Sequence, residues 1–358
     1  MSKRLVDSHV HLRNLRDIEN LEAIRRHIGF ERMNIVCLFS REGVNNNPSA
    51  FAAKARYPES FCFFGGLDHS EYFSGGKIKT PSLAEQVDRL MAIGADGIKM
   101  LENKPTHRRI LDIPVDGPYF EEHFAHLEAT GIPVVWHVCD PEEFWNPETT
   151  PSWAKSRGWG YDETFTPKGQ LYAEVENVLK RHPRLRIIFA HFLFLSSDLP
   201  RAASWLDTFP NVHLDLSPGI EFLYNLSKDV SATREFFIKY ADRIVFGTDI
   251  SSNHTLQEAT VRSGIVTRWL ETEDEYRIPD GADFVLGPPA DGVIRGLLLP
   301  TDVLERIYRS NFVRLAGDQP KPLDRDAAIV ECERIIGEIG VLGGDGSEAI
   351  QSMEKLES

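Results

Sequence analysis

The chain has 358 residues, 42% hydrophobic and 26% charged, which excludes disordered and fibrous classes and supplies enough apolar material for a large core. Its formal charge of −14 argues against a nucleic-acid partner, because a phosphate backbone releases its counterions only to a basic surface. A small acidic substrate stays open, since a few Arg and Lys in a pocket outweigh distant charge at ordinary ionic strength.

In chain order, the N-terminus MSKRLVDSHVHL runs into histidines with no apolar leader, and no stretch of about 18 apolar residues follows, so neither export nor membrane insertion is expected. Eight short runs rich in β-branched or aromatic residues then appear, at 4–12, 34–39, 61–67, 96–101, 132–138, 186–192, 212–217 and 243–249. Between them lie segments with apolar residues three or four apart, such as 83–93, 119–129, 171–181 and 233–240, which predict helices. In "RHPRLRIIFAH" and "DTFPNVHLDLS" a proline stops the helix before the next strand. The alternation predicts an α/β fold, a (β/α)8 barrel in preference to an open doubly wound sheet.

Residues 1–317 form the expected barrel domain, with insertions at 140–167 and 273–299. The first carries Trp145, Trp153 and Trp159 among prolines and glycines, and reads equally as a lid or as an aromatic loop packed outside the barrel. Residues 318–358 supply a terminal helix at 325–339 and a tail expected to fray beyond Gly343. The four cysteines, Cys37, Cys62, Cys139 and Cys332, are widely spaced within apolar runs, as reduced core thiols are, so a cytoplasmic location is expected.

His9 and His11 stand two apart in "DSHVHL", so the strand period points both imidazoles to one side. Alone, such a pair is a weak signal. It gains weight from His137 in "VVWHVCD", His191 in "IIFAHF" and Asp249 in "IVFGTDI", all at the carboxyl ends of strands, where barrel enzymes build their sites. One such residue could be a satisfied core histidine, but five from four strands are hard to explain as packing. Imidazoles with one carboxylate suit Zn2+, then Mn2+, Fe2+ or Ni2+. A water on that ion would be acidified toward about pH 7, Asp249 could accept its proton, and His191 could orient or protonate the substrate.

These residues, with "YRSNFVRLAG" at 308–317, resemble the amidohydrolase superfamily, particularly its amidohydrolase-2 branch, over nearly the whole chain. The resemblance implies a distorted (β/α)8 barrel, a metal held by His9, His11, His137 and Asp249, and a catalytic His191. The branch includes hydrolases of lactones and similar carbonyl compounds and nonoxidative decarboxylases of aromatic or dienoic acids. Lys99, in "DGIKML", stands where binuclear members carry a carboxylated lysine bridging two metals, with His137 and His191 on the second ion. The mononuclear reading is favoured; Lys99 then meets an anionic substrate group, or merely neutralises Asp249 or Glu102.

Arg41 follows the second strand and is, with Lys99, the favoured carboxylate contact; Arg13, Lys104, Arg108 and Arg109 are more ordinary surface charges. After the seventh strand, Asp215, Glu221 and Tyr224 are substrate contacts or local caps, the last two one helical turn apart. The expected function is a metal-dependent hydrolase of a small, carboxylate-bearing lactone, ester or amide. A decarboxylase is the alternative, and a noncatalytic metal-binding protein ranks below both. The expected partner is a small molecule, with neither nucleic acid nor membrane, and a homodimer or larger homo-oligomer stays open.

Overall fold

The computed structural model describes residues 4–219, 221–279 and 292–358. Nine parallel strands form one sheet: β1 (Leu5–His11), β2 (Phe30–Val36), β3 (Phe61–Gly66), β4 (Gly97–Asn103), β5 (Val134–Val138), β6 (Ile187–Phe189), β7 (Val212–Asp215), β8 (Ile244–Val245) and β9 (Ile250–Ser251). The strands pair in chain order from β1 to β8, and β9 returns to pair with β1. Because β8 and β9 are two halves of one run, the sheet curls until its ends meet. Two hydrogen bonds bridge the interval, Ser8 N to Phe246 O at 3.0 Å and Asp249 N to His9 O at 2.9 Å. The expected barrel of alternating strands and helices is therefore the fold observed.

Helices α1 (Ile18–Ile28), α2 (Asn47–Arg56), α3 (Leu83–Ile93), α4 (Pro118–Thr130), α5 (Lys168–Arg181), α6 (Leu199–Thr208), α7 (Val230–Lys239) and α8 (Leu256–Glu271) follow the strands. Ser82 and Glu85 form a capping box at the start of α3, and Thr255 and Glu258 form another at α8. Among the described residues no helix is long and apolar enough to cross a membrane.

Inside the strand ring, Val6, Val36, Cys62, Phe64, Val135, Ile188 and Val245 pack on Phe312 and Leu315. The "SNFVRLA" segment thus plugs the barrel. Buried Asn311 donates to Ala241 O at 2.7 Å and Ile244 O at 2.6 Å, fixing the entry to β8. All four cysteines are buried and free.

Five sequence expectations need correction. The second strand occupies Phe30–Val36, not 34–39, because Gly29 ends α1 in the left-handed region (φ 85°) and the chain enters the sheet at once. The sixth strand stops at Phe189 and the eighth breaks at 246–249, as backbone turns there carry the site. Helix α9 (Arg325–Leu342) runs past 339, and the tail is ordered as α10 (Ser347–Glu357), with Ala349, Ser352 and Leu356 buried and the Ser49 hydroxyl bonded to Glu348 at 3.1 Å. Within 273–299, Glu275–Tyr276 pairs antiparallel with Ile294–Arg295, while residues 280–291 lie outside the described residues.

Lys54 on α2 and Asp96 before β4 form a fully buried pair at 2.7 Å; the ammonium also reaches Gly94 O, and the carboxylate accepts from Phe63 N and Lys321 N. Removing one partner strands the other's charge, so Lys54→Met is expected to destabilise the fold by about 3–5 kcal/mol in urea unfolding. A loss under about 1 kcal/mol would show that the pair has an alternative partner.

Candidate metal centre

Alternation along β1 turns His9 and His11 into the barrel mouth. His9 is 1% exposed; its Nδ1 lies 2.7 Å from Asp215 Oδ2, and its Nε2 has no hydrogen-bond partner. Since a carboxylate only accepts, Nδ1 carries the proton and Nε2 presents a lone pair. His11 Nε2 lies 3.0 Å from Asp249 Oδ1, and His9 Nε2 lies 3.9 Å from the same oxygen. Ligand atoms of His9, His11 and Asp249 all fall within 4.8 Å of one another. An orphaned imidazole nitrogen, a second imidazole and a carboxylate sharing one small space fit a divalent cation of the zinc type.

Asp249 occupies the break between β8 and β9 with φ 56°, a left-handed conformation that aspartate tolerates better than most residues. Burial raises its pKa, yet His11 and the Arg262 guanidinium hold the carboxyl well below its ordinary range. Arg262 donates to Asp249 Oδ2 at 3.1 Å, Thr248 O at 2.6 Å and Pro218 O at 3.3 Å. Sequence reasoning missed it; its one signal is a charge on the buried face of α8, beside Ala259 and Ile265.

After β6 the chain makes a left-handed turn over four residues: His191 (φ 56°), Phe192 (55°), Leu193 (54°) and Phe194 (51°). This costs about 1–2 kcal/mol per residue, so something must hold it. His191 N donates to Asp215 Oδ1 at 2.8 Å, Tyr172 donates to Leu193 O at 2.9 Å, and the Phe192 ring stacks on Phe237. The turn aims the His191 ring at the centre, 5.2 Å from the His9 ring and 4.9 Å from the His137 ring. Its Nδ1 bonds the Ser217 carbonyl at 3.1 Å, and burial pushes its pKa down to about 4. Burial likewise pushes His11 down to about 3, so both rings are neutral at pH 7.

His137, fourth in β5, lies outside the 4.8 Å group. Its Nε2 is 3.1 Å from Asp140 Oδ1, and both Asp140 oxygens are held by Lys104 at 2.7 and 2.8 Å. The 140–167 insertion folds over this corner. Its aromatic residues, Phe144, Trp145, Trp153, Trp159, Tyr161 and Phe165, cluster together; the Tyr161 hydroxyl bonds Asp140, and Lys104 sits 4.5 Å above the Trp159 ring.

The remaining candidates divide. Lys99 is third, not last, in β4, so it stands deep in the barrel; it is 2% exposed, and its Nζ has no hydrogen-bond partner. Burial lowers its pKa to about 8, with Asp215 and Asp249 opposing the fall. Glu221, 8% exposed, has an unpartnered Oε2 and a pKa raised to about 8, by burial first and then Glu143. Tyr224, on the short helix Phe222–Leu226, is buried against Gly292. Arg41 is not brought to the site: in the tight turn joining Phe39–Ser40 to Val44–Asn45 it is exposed. Arg13 bonds Ser251, Arg108 pairs with Glu174 at 3.5 Å, and Arg109 stacks on Phe165.

The family model for Amidohydrolase matches residues 6–315, which spans the barrel strands except for Leu5 at the start of β1. The chain belongs to the Amidohydrolase family. The chain is similar to a solved TIM-barrel protein of Bordetella bronchiseptica, uncharacterised, with TM-score 0.51 and 15% identity over 87% of this chain and 98% of that one. The IDCase of Metarhizium anisopliae gives 0.52 and 14%, covering 88% and 97%. A 2,6-dihydroxybenzoate decarboxylase in complex with 2,6-dihydroxybenzoate gives 0.50 and 14%, covering 87% and 99%. At these identities the likeness is one of fold. No curated protein matches significantly.

Glu221 gives the fold a testable pH signature. A carboxyl whose folded pKa is raised favours the neutral form in the fold, so its stability is full below the unfolded value near 4.5 and is lost as pH rises through about 8. Between pH 5 and 9 the Tm of the wild type is therefore expected to fall further than that of Glu221→Gln; parallel profiles would place an ionised carboxylate there.

Proposed function

We propose that this amidohydrolase is a metal-dependent hydrolase of a small, carboxylate-bearing lactone, ester or amide. One divalent ion, Zn2+ before Mn2+, Fe2+ or Ni2+, would be held by His9, His11, His137 and Asp249. The observation that carries the reading is the orphaned Nε2 of His9 beside the oxygen that Asp249 shares with His11. An ion bound there supplies Lewis acidity and acidifies a coordinated water.

The chain's own groups supply the rest. Lys99, buried and without a hydrogen-bond partner, seats the substrate carboxylate. Asp249, kept ionised by His11 and Arg262, accepts the proton of the attacking water. His191 donates Nδ1–H to Ser217 O, which leaves Nε2 as an acceptor facing the centre; it takes that proton on and delivers it to the leaving oxygen or nitrogen. Glu221 and Tyr224 would complete the pocket wall beyond the Phe194 ring. A single ion leaves Lys99 unmodified, which suits its role as a cation. The buried free cysteines favour a reducing compartment, the cytoplasm.

A second reading, nonoxidative decarboxylation of an aromatic or dienoic acid, draws on the same Lys99, since a buried ammonium holds a substrate carboxylate beside the centre in either chemistry. Product analysis separates the two: alkali consumption without gas from acidic lactones, esters or amides supports hydrolysis, and CO2 release from aromatic acids replaces it with decarboxylation. His9→Ala and Asp249→Ala are each expected to lower bound metal and abolish turnover; full activity in either contradicts the ligand assignment. Lys99→Met should raise KM by roughly 10- to 100-fold, the worth of one charge-assisted hydrogen bond, with metal content unchanged. An unaltered KM takes the substrate carboxylate away from Lys99.

A further inference from the structure

His9 and His137 share an arrangement that the ligand assignment alone does not explain. Each has one ring nitrogen tied to a buried carboxylate, His9 through Nδ1 to Asp215 and His137 through Nε2 to Asp140. A ligating histidine is held in tautomer and orientation by such a partner, and removing the partner weakens metal binding about 10- to 100-fold.

Asp140 is itself unusually fixed. It is 2% exposed; its Oδ1 meets His137 Nε2 at 3.1 Å and Lys104 Nζ at 2.8 Å, and its Oδ2 meets Lys104 Nζ at 2.7 Å and the Tyr161 hydroxyl. Lys104 Nζ also lies 3.5 Å from His137 Nε2. Were that contact to decide the tautomer, Nε2 would be an acceptor. Two shorter bonds to Asp140 engage the ammonium instead, so the proton of Nε2 goes to Asp140 and the lone pair falls on Nδ1.

We propose that Asp140, Lys104 and Tyr161 are positioning residues that orient His137 for the metal and couple this ligand to the 140–167 insertion. The inference rests on the reading of His137 as a ligand. Beyond Asp140, its first residue, the insertion reaches the site through two aromatic side chains, Tyr161 on Asp140 and Trp159 under Lys104, while Phe165 lies against Arg109 and the others pack within the cluster. Lifting the insertion would remove one hydrogen bond from Asp140 and the aromatic face from Lys104. The position of this cover is thereby transmitted to the orientation of one imidazole.

The test uses the full chain loaded with Co2+, whose visible absorption reports ligand geometry without any substrate. Tyr161→Phe keeps the ring and deletes the hydroxyl, Asp140→Asn deletes the carboxylate, and Trp153→Phe alters the same aromatic cluster at a residue touching neither Asp140 nor Lys104. Chelator competition is expected to show Co2+ affinity down about 10-fold or more in Tyr161→Phe and further in Asp140→Asn. Both variants should have altered visible bands, and Trp153→Phe should match the wild type. Wild-type affinity and spectrum in the first two variants overturn the proposal, as does an equal loss in Trp153→Phe, which would mark general loosening of the insertion. A wild-type protein that takes up no cobalt overturns the metal reading and this inference together; uptake with unchanged variants overturns this inference alone.

Discussion

The carboxylate of Asp215 is the interaction on which the centre depends. Fully buried at the end of β7, it accepts from His9 Nδ1, from the backbone N–H of His191 and from that of Ser217, the last at 3.0 Å. An uncompensated charge at such depth costs several kcal/mol. Here burial does push the carboxyl up, but the His9 ring and these hydrogen bonds bring its pKa down to about 2, so it is ionised throughout the physiological range. One group thus selects the tautomer of His9, pins the first residue of the left-handed turn and joins β1, β6 and β7 at the mouth.

Strain and charge are arranged around that anchor. The four left-handed residues after β6 and the left-handed Asp249 sit where regular strands would otherwise continue, and each is held by contacts from outside its own segment. Such outliers cluster at functional sites because the surrounding structure can over-determine them. Arg262, buried on α8, does this for Asp249 through two backbone carbonyls and the carboxylate itself.

Much of this was legible in the sequence. The period of two along β1 fixes the common side of His9 and His11, and apolar runs ending in His or Asp mark strand ends wherever those strands lie. The proline stops also read correctly, whereas only the structure shows that the "SNFVRLA" segment plugs the barrel. What failed is local register: Gly29 starts β2 four residues early, and the shift of β4 by two residues buries Lys99 more deeply than a rim position would. Arg41 looked close to the centre because residues 37–39, beyond the end of β2 at Val36, read as a continuing strand. Asp140 and Arg262 carry no local motif; their importance arises from partners up to 36 residues away for Asp140 and 44 for Arg262, which tertiary packing supplies. The tail failed for the same reason, since polar α10 gains its order from the groove beside α2.

The split eighth strand has a consequence for biosynthesis. β1 is made first, yet its second neighbour, β9, comes some 240 residues later, and non-local pairings of this kind form slowly because loop closure must precede them. Asp249 lies in the very segment that seals the ring. The two histidines of β1 therefore emerge long before the carboxylate beside them exists, and a nascent chain holds only part of this cluster until the last strand docks.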